Sequence, residues 1–383
     1  MTFDLILVGL SLLTWGIGEG MFFFFNPLYL QQLGANPVMI GSILGAVGLA
    51  MTVAHIPAGY LADRFGRRPF LLFAWFCGVV SGWLMALAPN LTVFVMGMIA
   101  YGLTAFVMSP LNSYVMGARG KLTPGRALTL TSAMYNIGAI AGPLIGGYVG
   151  NTYGLKVIYT GAACVFLVSF AIMAFIHSQP REHHDPDSPP VNLLVNKRYI
   201  GFMSLVFIVI FAGYLPQPLT PNFLQNERGV TLSQIGQLAA INSFAIVLLN
   251  LILGKFNPRV GFIFGQAAMV GFAFLLWQGT GMLWFSAAYF LLGGYRVIRP
   301  LIAAQVRELI HGSQMGLAFG ITETIAALPN IIAPPIAGLL YANDPTSVYF
   351  IGLVLIHIGL TLSVIFAPRS LTPEPAPVMA SDS

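Results

Sequence analysis

Charge is nearly absent from this chain. Only 8% of its 383 residues are Asp, Glu, Lys or Arg, while 57% are hydrophobic; a typical soluble domain carries roughly 25% charged residues. That scarcity excludes a water-soluble globular fold of this length, which would need far more polar surface. Cysteine is scarce too. Cys77 and Cys164 lie in separate apolar segments, where small buried hydrophobes are expected rather than a disulfide or a metal pair. No nucleophile–base pair, phosphate loop or metal-ligand spacing is present, so neither an enzyme nor a cofactor or metal is expected. His55 and His357 stand singly inside apolar runs, and His183-His184 lack further ligands at useful spacing. The net charge of +5 is scattered over short loops and forms no basic face, which argues against nucleic acid. No basic stretch precedes a short apolar run with a cleavage site, so no removable signal peptide is expected.

Apolar runs are abundant instead. A transmembrane helix needs about 20 mostly apolar residues. Runs of that length cover 5–30, 38–61, 69–88, 91–116, 127–150, 155–177, 199–224, 231–254, 260–277, 281–306, 314–341 and 346–367. They predict an all-α integral membrane protein of twelve spans, embedded in the lipid bilayer. Pro89-Asn90, Asn151-Thr152, Gly279-Thr280-Gly281 and Asn343-Asp344-Pro345 punctuate the runs as turn formers.

Loop charge predicts the orientation. With both termini cytoplasmic, the inside loops hold Arg64, Arg67, Arg68, Arg119, Lys121, Arg126, Arg181, Lys197, Arg198, Lys255, Arg259, Arg307 and Arg369; the outside loops hold Lys156 and Arg228. This asymmetry satisfies the positive-inside rule; the plasma (cell inner) membrane is the expected location. The hydrophilic stretch 178–198 predicts a linker between an N-terminal bundle, 1–177, and a C-terminal bundle, 199–368. Residues 369–383 read as a disordered tail.

The two bundles repeat each other. At an offset near 195, Pro27-Leu28-Tyr29-Leu30-Gln31 matches Pro221-Asn222-Phe223-Leu224-Gln225. Gly34, Gly41, Gly59, Arg64 and Gly66 fall on Gly229, Gly236, Gly254, Arg259 and Gly261. Pro110 falls on Pro300, and Gly142-Pro143 with Gly146 on Pro334-Pro335 with Gly338.

The densest knot of charge is Gly59-Tyr60-Leu61-Ala62-Asp63-Arg64-Phe65-Gly66-Arg67-Arg68-Pro69. Its pattern G-x-x-x-D-R-x-G-R-R resembles the loop between helices 2 and 3 of the major facilitator superfamily of secondary transporters. The resemblance implies two parallel six-helix repeats rocking about a central site. It also implies a cytoplasmic gate in which Gly59, Asp63, Arg64, Gly66, Arg67 and Arg68 latch against the start of helix 11. Unsatisfied backbone N–H groups there favour a carboxylate. The second copy, from Gly254 to Gly261, has lost the acid, so an asymmetric latch is expected. Gly138, Gly142, Pro143, Gly146 and Gly147 resemble the helix 5 motif of the twelve-helix drug:proton antiporter branch. There the motif seals helix 5 against helix 8; plain small-residue packing is the rival reading. The further upstream glycine of that motif is Thr129 here, and the helix 4 arginine of proton-coupled members is missing from Met98-Ile99-Ala100-Tyr101-Gly102.

Ionisable residues at membrane depth are costly and face a cavity or a partner. Glu19 in span 1 and Glu323 in span 11 are candidates for proton coupling, and the resemblance supports Glu19. For Glu323, an ion pair with Arg296 or Arg299 of span 10 is the favoured alternative, and the arginine left over would suit an anionic group. By analogy, spans 1, 4, 7 and 10 line the cavity, with Trp15, Phe23, Asn26, Asn112, Tyr214, Gln217, Arg296 and Arg299 as candidates. The expected function is a monomeric exporter of small lipophilic or amphiphilic compounds by proton antiport. The alternative is a proton-coupled importer of a small organic anion or sugar.

Overall fold

A computed structural model describes residues 2–65, 67–179, 196–253, 255–309 and 315–368. Among them the chain forms helices and no strand. The first half contains α1 (Phe3–Phe22), a 3-10 turn at Phe23–Phe25, α2 (Asn26–Gln32), α3 (Pro37–Phe65), α4 (Arg67–Ala86) and α5 (Leu91–Leu103). A second 3-10 turn at Thr104–Val107 leads into α6 (Met108–Gly117), α7 (Pro124–Tyr153) and α8 (Leu155–Ala174). The second half contains α9 (Lys197–Tyr214), α10 (Thr220–Asn226), α11 (Leu232–Leu253), α12 (Pro258–Gln278), α13 (Met282–Leu309), α14 (Met315–Asn343) and α15 (Ser347–Phe366).

Local chemistry sets the helix starts. The side chains of Thr2, Asn90, Thr123, Asn196 and Asn257 accept N–H bonds from the first turns of α1, α5, α7, α9 and α12, donors that otherwise lack partners. Among the described residues ten helices are long and apolar enough to cross a membrane, or eleven if the bent pair 91–107 and 110–117 is one span. The remaining expected span is α13, whose 28 residues reach across a bilayer but carry Arg296, Arg299, Arg307 and Glu308. This is an integral, multi-pass membrane protein.

The repeat extends to individual hydrogen bonds. Pro27 and Pro221 sit in the first turns of α2 and α10. These short helices end near Gly34 (φ 93°) and Gly229 (φ 65°), a backbone region that favours glycine. Tyr159 Oη donates to Asn26 Oδ1 at 3.0 Å, and Tyr349 Oη lies 3.1 Å from Thr220 Oγ1. Trp75 Nε1 donates to Ser169 Oγ at 2.9 Å as Gln266 Nε2 does to Ser363 Oγ at 3.0 Å. Interhelical bonds of this kind average roughly 0.6 kcal/mol in a membrane, so packing carries most of the rest. In the first half that packing is aromatic: Phe94 meets Tyr29 and Tyr159 edge to face and the two tyrosines tilt against each other, with centroids 4.8–4.9 Å apart.

Two registrations differ from the sequence reading. Arg68 donates to the Ala174 carbonyl at 3.2 Å and Arg259 to the Val364 carbonyl at 2.5 Å, each joining one helix start to the end of the last helix of its half. The counterpart of Arg259 is therefore Arg68 rather than Arg64, because α11, with 22 residues, is shorter than α3, with 29. Likewise the close contacts pair Pro143 with Pro334 and Gly147 with Gly338, one residue away from the match by identity. Packing selects the residue on the facing side of the helix, which identity does not register.

The halves meet at the end of the bundle opposite the chain termini. In α3, Gly41, Gly45 and Gly48 lie against the α14 backbone at Pro334, Ile331 and Asn330; in α11, Gly236 lies against Pro143 and Gly147 of α7. These two seals are related by the internal repeat. Glycine lets the backbones approach this closely, and dispersion contacts then hold helices together where lipid offers no hydrophobic drive. A polar latch closes the same end. Gln31 and Asn226 exchange two amide bonds at 3.1 and 3.3 Å, while Asn222 Nδ2 donates to Gln31 Oε1 at 2.5 Å and to the Pro27 carbonyl at 3.1 Å.

Candidate functional site

Glu19 sits where α1 crosses α7. Gly16 and Gly20, one turn apart on α1, face Gly138 and Gly142 on α7, with added Cβ atoms falling about 3 Å from the opposing backbone. Gly146 continues the stripe against Met21. The helix 5 motif thus has two faces. Gly138, Gly142 and Gly146, four residues apart, pack on α1 of the same half; only Pro143 and Gly147 reach α11. A helical repeat of 3.6 residues puts those two on a different side of the helix.

This close crossing delivers Tyr135, one turn before Gly138, to the acid. Tyr135 Oη donates to Glu19 Oε2 at 2.8 Å. Tyr101 Oη of α5 also faces the carboxylate, and it occupies the stretch where the helix 4 arginine is missing. The Arg296 guanidinium of α13 lies within electrostatic range of Glu19 and Tyr135, so the acid of one half faces a cation of the other. Tyr214 and Tyr295 lie within electrostatic range of Arg296, their rings stacked 6.0 Å apart and 20° from parallel. The Tyr295 ring packs on Gly213, the residue at the position of Glu19 in the repeat, and fills the space an acid would need.

The other candidates disperse. Arg299 Nη2 lies 3.7 Å from Glu323 Oε2, with both side chains more than a third exposed, so Arg296 is the arginine left over. Trp15 packs inside its own half, its ring 4.5 Å from Phe166 and 5.1 Å from Trp75, over Gly78, and reaches the acid through Tyr101, to which it is hydrogen-bonded and stacked with centroids 6.1 Å apart. Asn26 is buried and committed to Tyr159. Phe23 is exposed beside Phe24, and Asn112 is exposed on α6. Gln217 folds back onto the Gly213 carbonyl at 2.7 Å. At the loop after α3, Gly59, Asp63, Arg64 and Gly66 lie outside the residues described at side-chain level. Arg67 reaches the Ser113 carbonyl at 3.3 Å and Gln179 Oε1 at 3.5 Å; with the Arg68 bond to Ala174, it ties the start of α4 to α6 and the end of α8.

Sequence reasoning missed Tyr101, Tyr135 and Tyr295. One signal was available for Tyr135, which extends the stripe of Gly138, Gly142 and Gly146.

A bundle of repeated halves enclosing an acid and a base from opposite sides is the layout of a carrier. The sequence model described as Major Facilitator Superfamily matches residues 8–202 and again 202–382. The chain belongs to the Major Facilitator Superfamily. Among curated relatives, Multidrug resistance protein 2 of Bacillus subtilis (strain 168) is 23% identical over 374 residues, 92% of each chain. Tetracycline resistance protein, class B, of Escherichia coli is 24% identical over 383 residues, 94% of each chain. Among solved structures, a point mutant of the nucleoside transporter NupG superposes with a TM-score of 0.84 at 12% identity, covering 95% of this chain and 100% of that one. A D-xylose–proton symporter superposes with a TM-score of 0.75 at 15% identity, covering 96% and 98%. At such identities the structures establish the facilitator fold. A facilitator of this kind is a membrane transporter of a small molecule and not an enzyme.

Proposed function

We propose that this facilitator exports small lipophilic or amphiphilic compounds across the plasma membrane in exchange for protons. Both termini are cytoplasmic, the chain works as a monomer, and halves 1–177 and 199–368, joined by the linker 178–198, alternate about the central site. The observation that carries this reading is Glu19, a carboxylate at membrane depth with Tyr135 as donor and Arg296 of the opposite half in electrostatic range. Such a group exchanges a proton for a ligand contact and reports its charge across the line where the halves part. The names of the relatives, multidrug and tetracycline resistance proteins, support export. Asp63 and its arginines form the cytoplasmic gate in this reading. Glu323, paired with Arg299, has a structural role rather than a coupling one.

The test is proton flux in liposomes holding the purified protein. Protons moving opposite to an added amphiphile, and lost in Glu19→Gln, are expected. A second reading, import of a small organic anion or sugar with protons, is favoured by the cation Arg296. Protons moving in the same direction as an added anion or sugar would establish it and displace export.

A further inference from the structure

The charge balance of the central site constrains its substrate. Glu19 is faced by Tyr135 from α7, Tyr101 from α5 and Arg296 from α13. On the side of α8 it has only apolar neighbours, since Gly18 packs on Phe166 and Ala162, and Tyr159 of that helix is committed to Asn26. Glu323 and Arg299 lie 3.7 Å apart and cancel one another. With Glu19 ionised, the remaining charges among the described residues of the site, Glu19 and Arg296, sum to zero; with Glu19 protonated, the site is a net cation. A lipophilic cation entering either state meets Arg296 without a spare negative charge to compensate it. A molecule bearing both signs meets a complement for each. The rings of Tyr214 and Tyr295, stacked on each other and within electrostatic range of Arg296, offer a flat surface for an aromatic body.

We propose that Arg296 sets the charge of the substrate. The site takes net-neutral, dipolar aromatic compounds, their cationic group on Glu19 and their anionic group on Arg296, and turns lipophilic cations away. Protonation of Glu19 then removes the partner of the cationic group and releases the substrate. The inference rests on the export reading and narrows it to a substrate class.

A matched dye pair tests it. The free-acid form of a simple rhodamine is a zwitterion, and its methyl ester is a permanent cation of nearly the same shape. Their binding to the purified protein is followed by fluorescence polarisation at a pH where Glu19 is ionised. The wild type is expected to bind the acid about tenfold or more tightly than the ester, the scale of one unscreened like-charge contact. Arg296→Gln should abolish that ratio and Arg296→Lys should keep most of it, each with an unchanged melting temperature. Equal or tighter binding of the ester by the wild type overturns the inference, as does an unchanged ratio in Arg296→Gln. Dye-driven proton counterflow in liposomes separates the two levels. Counterflow with no preference for the acid leaves export standing and removes the charge rule; preference without counterflow does the reverse. Binding of neither dye removes both.

Discussion

Replacing Gly236 by Ala should push this transporter toward the state open on the side opposite its termini. A Cβ at Gly236 would fall 3.0 Å from Gly147 Cα and closer still to the Pro143 carbonyl oxygen. Both obstacles are backbone, so neither can swing aside, and overpacking of this kind costs roughly 1–3 kcal/mol. That cost is confined to the state in which α7 and α11 touch, so the equilibrium moves by about 5- to 150-fold. Gly16→Ala is the control. Its Cβ would meet Gly138 Cα at 3.3 Å, Ala139 N at 3.1 Å and, closer still, the Tyr135 carbonyl oxygen, but α1 and α7 belong to one half and stay together in every state. It should lower the melting temperature without moving the equilibrium. The assay is a spin-label distance between Gln32→Cys and Ala342→Cys, exposed positions in opposite halves, with Cys77 and Cys164 replaced. A longer distance in Gly236→Ala and not in Gly16→Ala is expected. If Gly236→Ala leaves the distance unchanged yet melts as early as Gly16→Ala, the seal glycines only hold the fold and the reasoning fails.

Three further outcomes follow from the same geometry. Tyr135→Phe removes the donor to Glu19, a charge-assisted bond worth about 1.5–3 kcal/mol; substrate-driven proton flux should fall about tenfold or more with the fold intact, and an unchanged rate would detach Tyr135 from coupling. Gln31→Ala takes away both bonds to Asn226 and leaves the amide of buried Asn222 with its bond to the Pro27 carbonyl alone. It should cost about 1–3 kcal/mol of the closed state and lengthen the same spin-label distance. Glu323→Gln breaks a pair more than a third exposed, so its stability should change by no more than about 1 kcal/mol in a detergent melt. Loss of proton coupling in that variant would transfer the coupling role from Glu19 to Glu323.

The spans were legible because the bilayer fixes their length and charge is tolerated only at their ends, which left few other ways to divide this chain. Glu19 was legible for the same reason: in a run such as Leu12-Leu13-Thr14-Trp15-Gly16-Ile17-Gly18, an acid stands out. Its partners were hidden, since Tyr135 is 116 positions away and no local pattern reports how far each helix is rotated toward the axis. Trp15 and Asn26 show the converse. Both sit on the right span at the right depth, yet the rotation of α1 and the break before α2 turn them into their own half. The far-side latch was closer to hand than the site. Gln31 and Asn226 are 195 positions apart, as are Pro27 and Asn222, one more than the 194 that aligns Pro27–Gln31 with Pro221–Gln225. Residues one position from equivalence meet where a pseudo-twofold axis passes between the halves. The alignment therefore named the two segments in contact, once the ends of spans 1 and 7 are placed beside that axis, while the partner of each residue is shifted by one position.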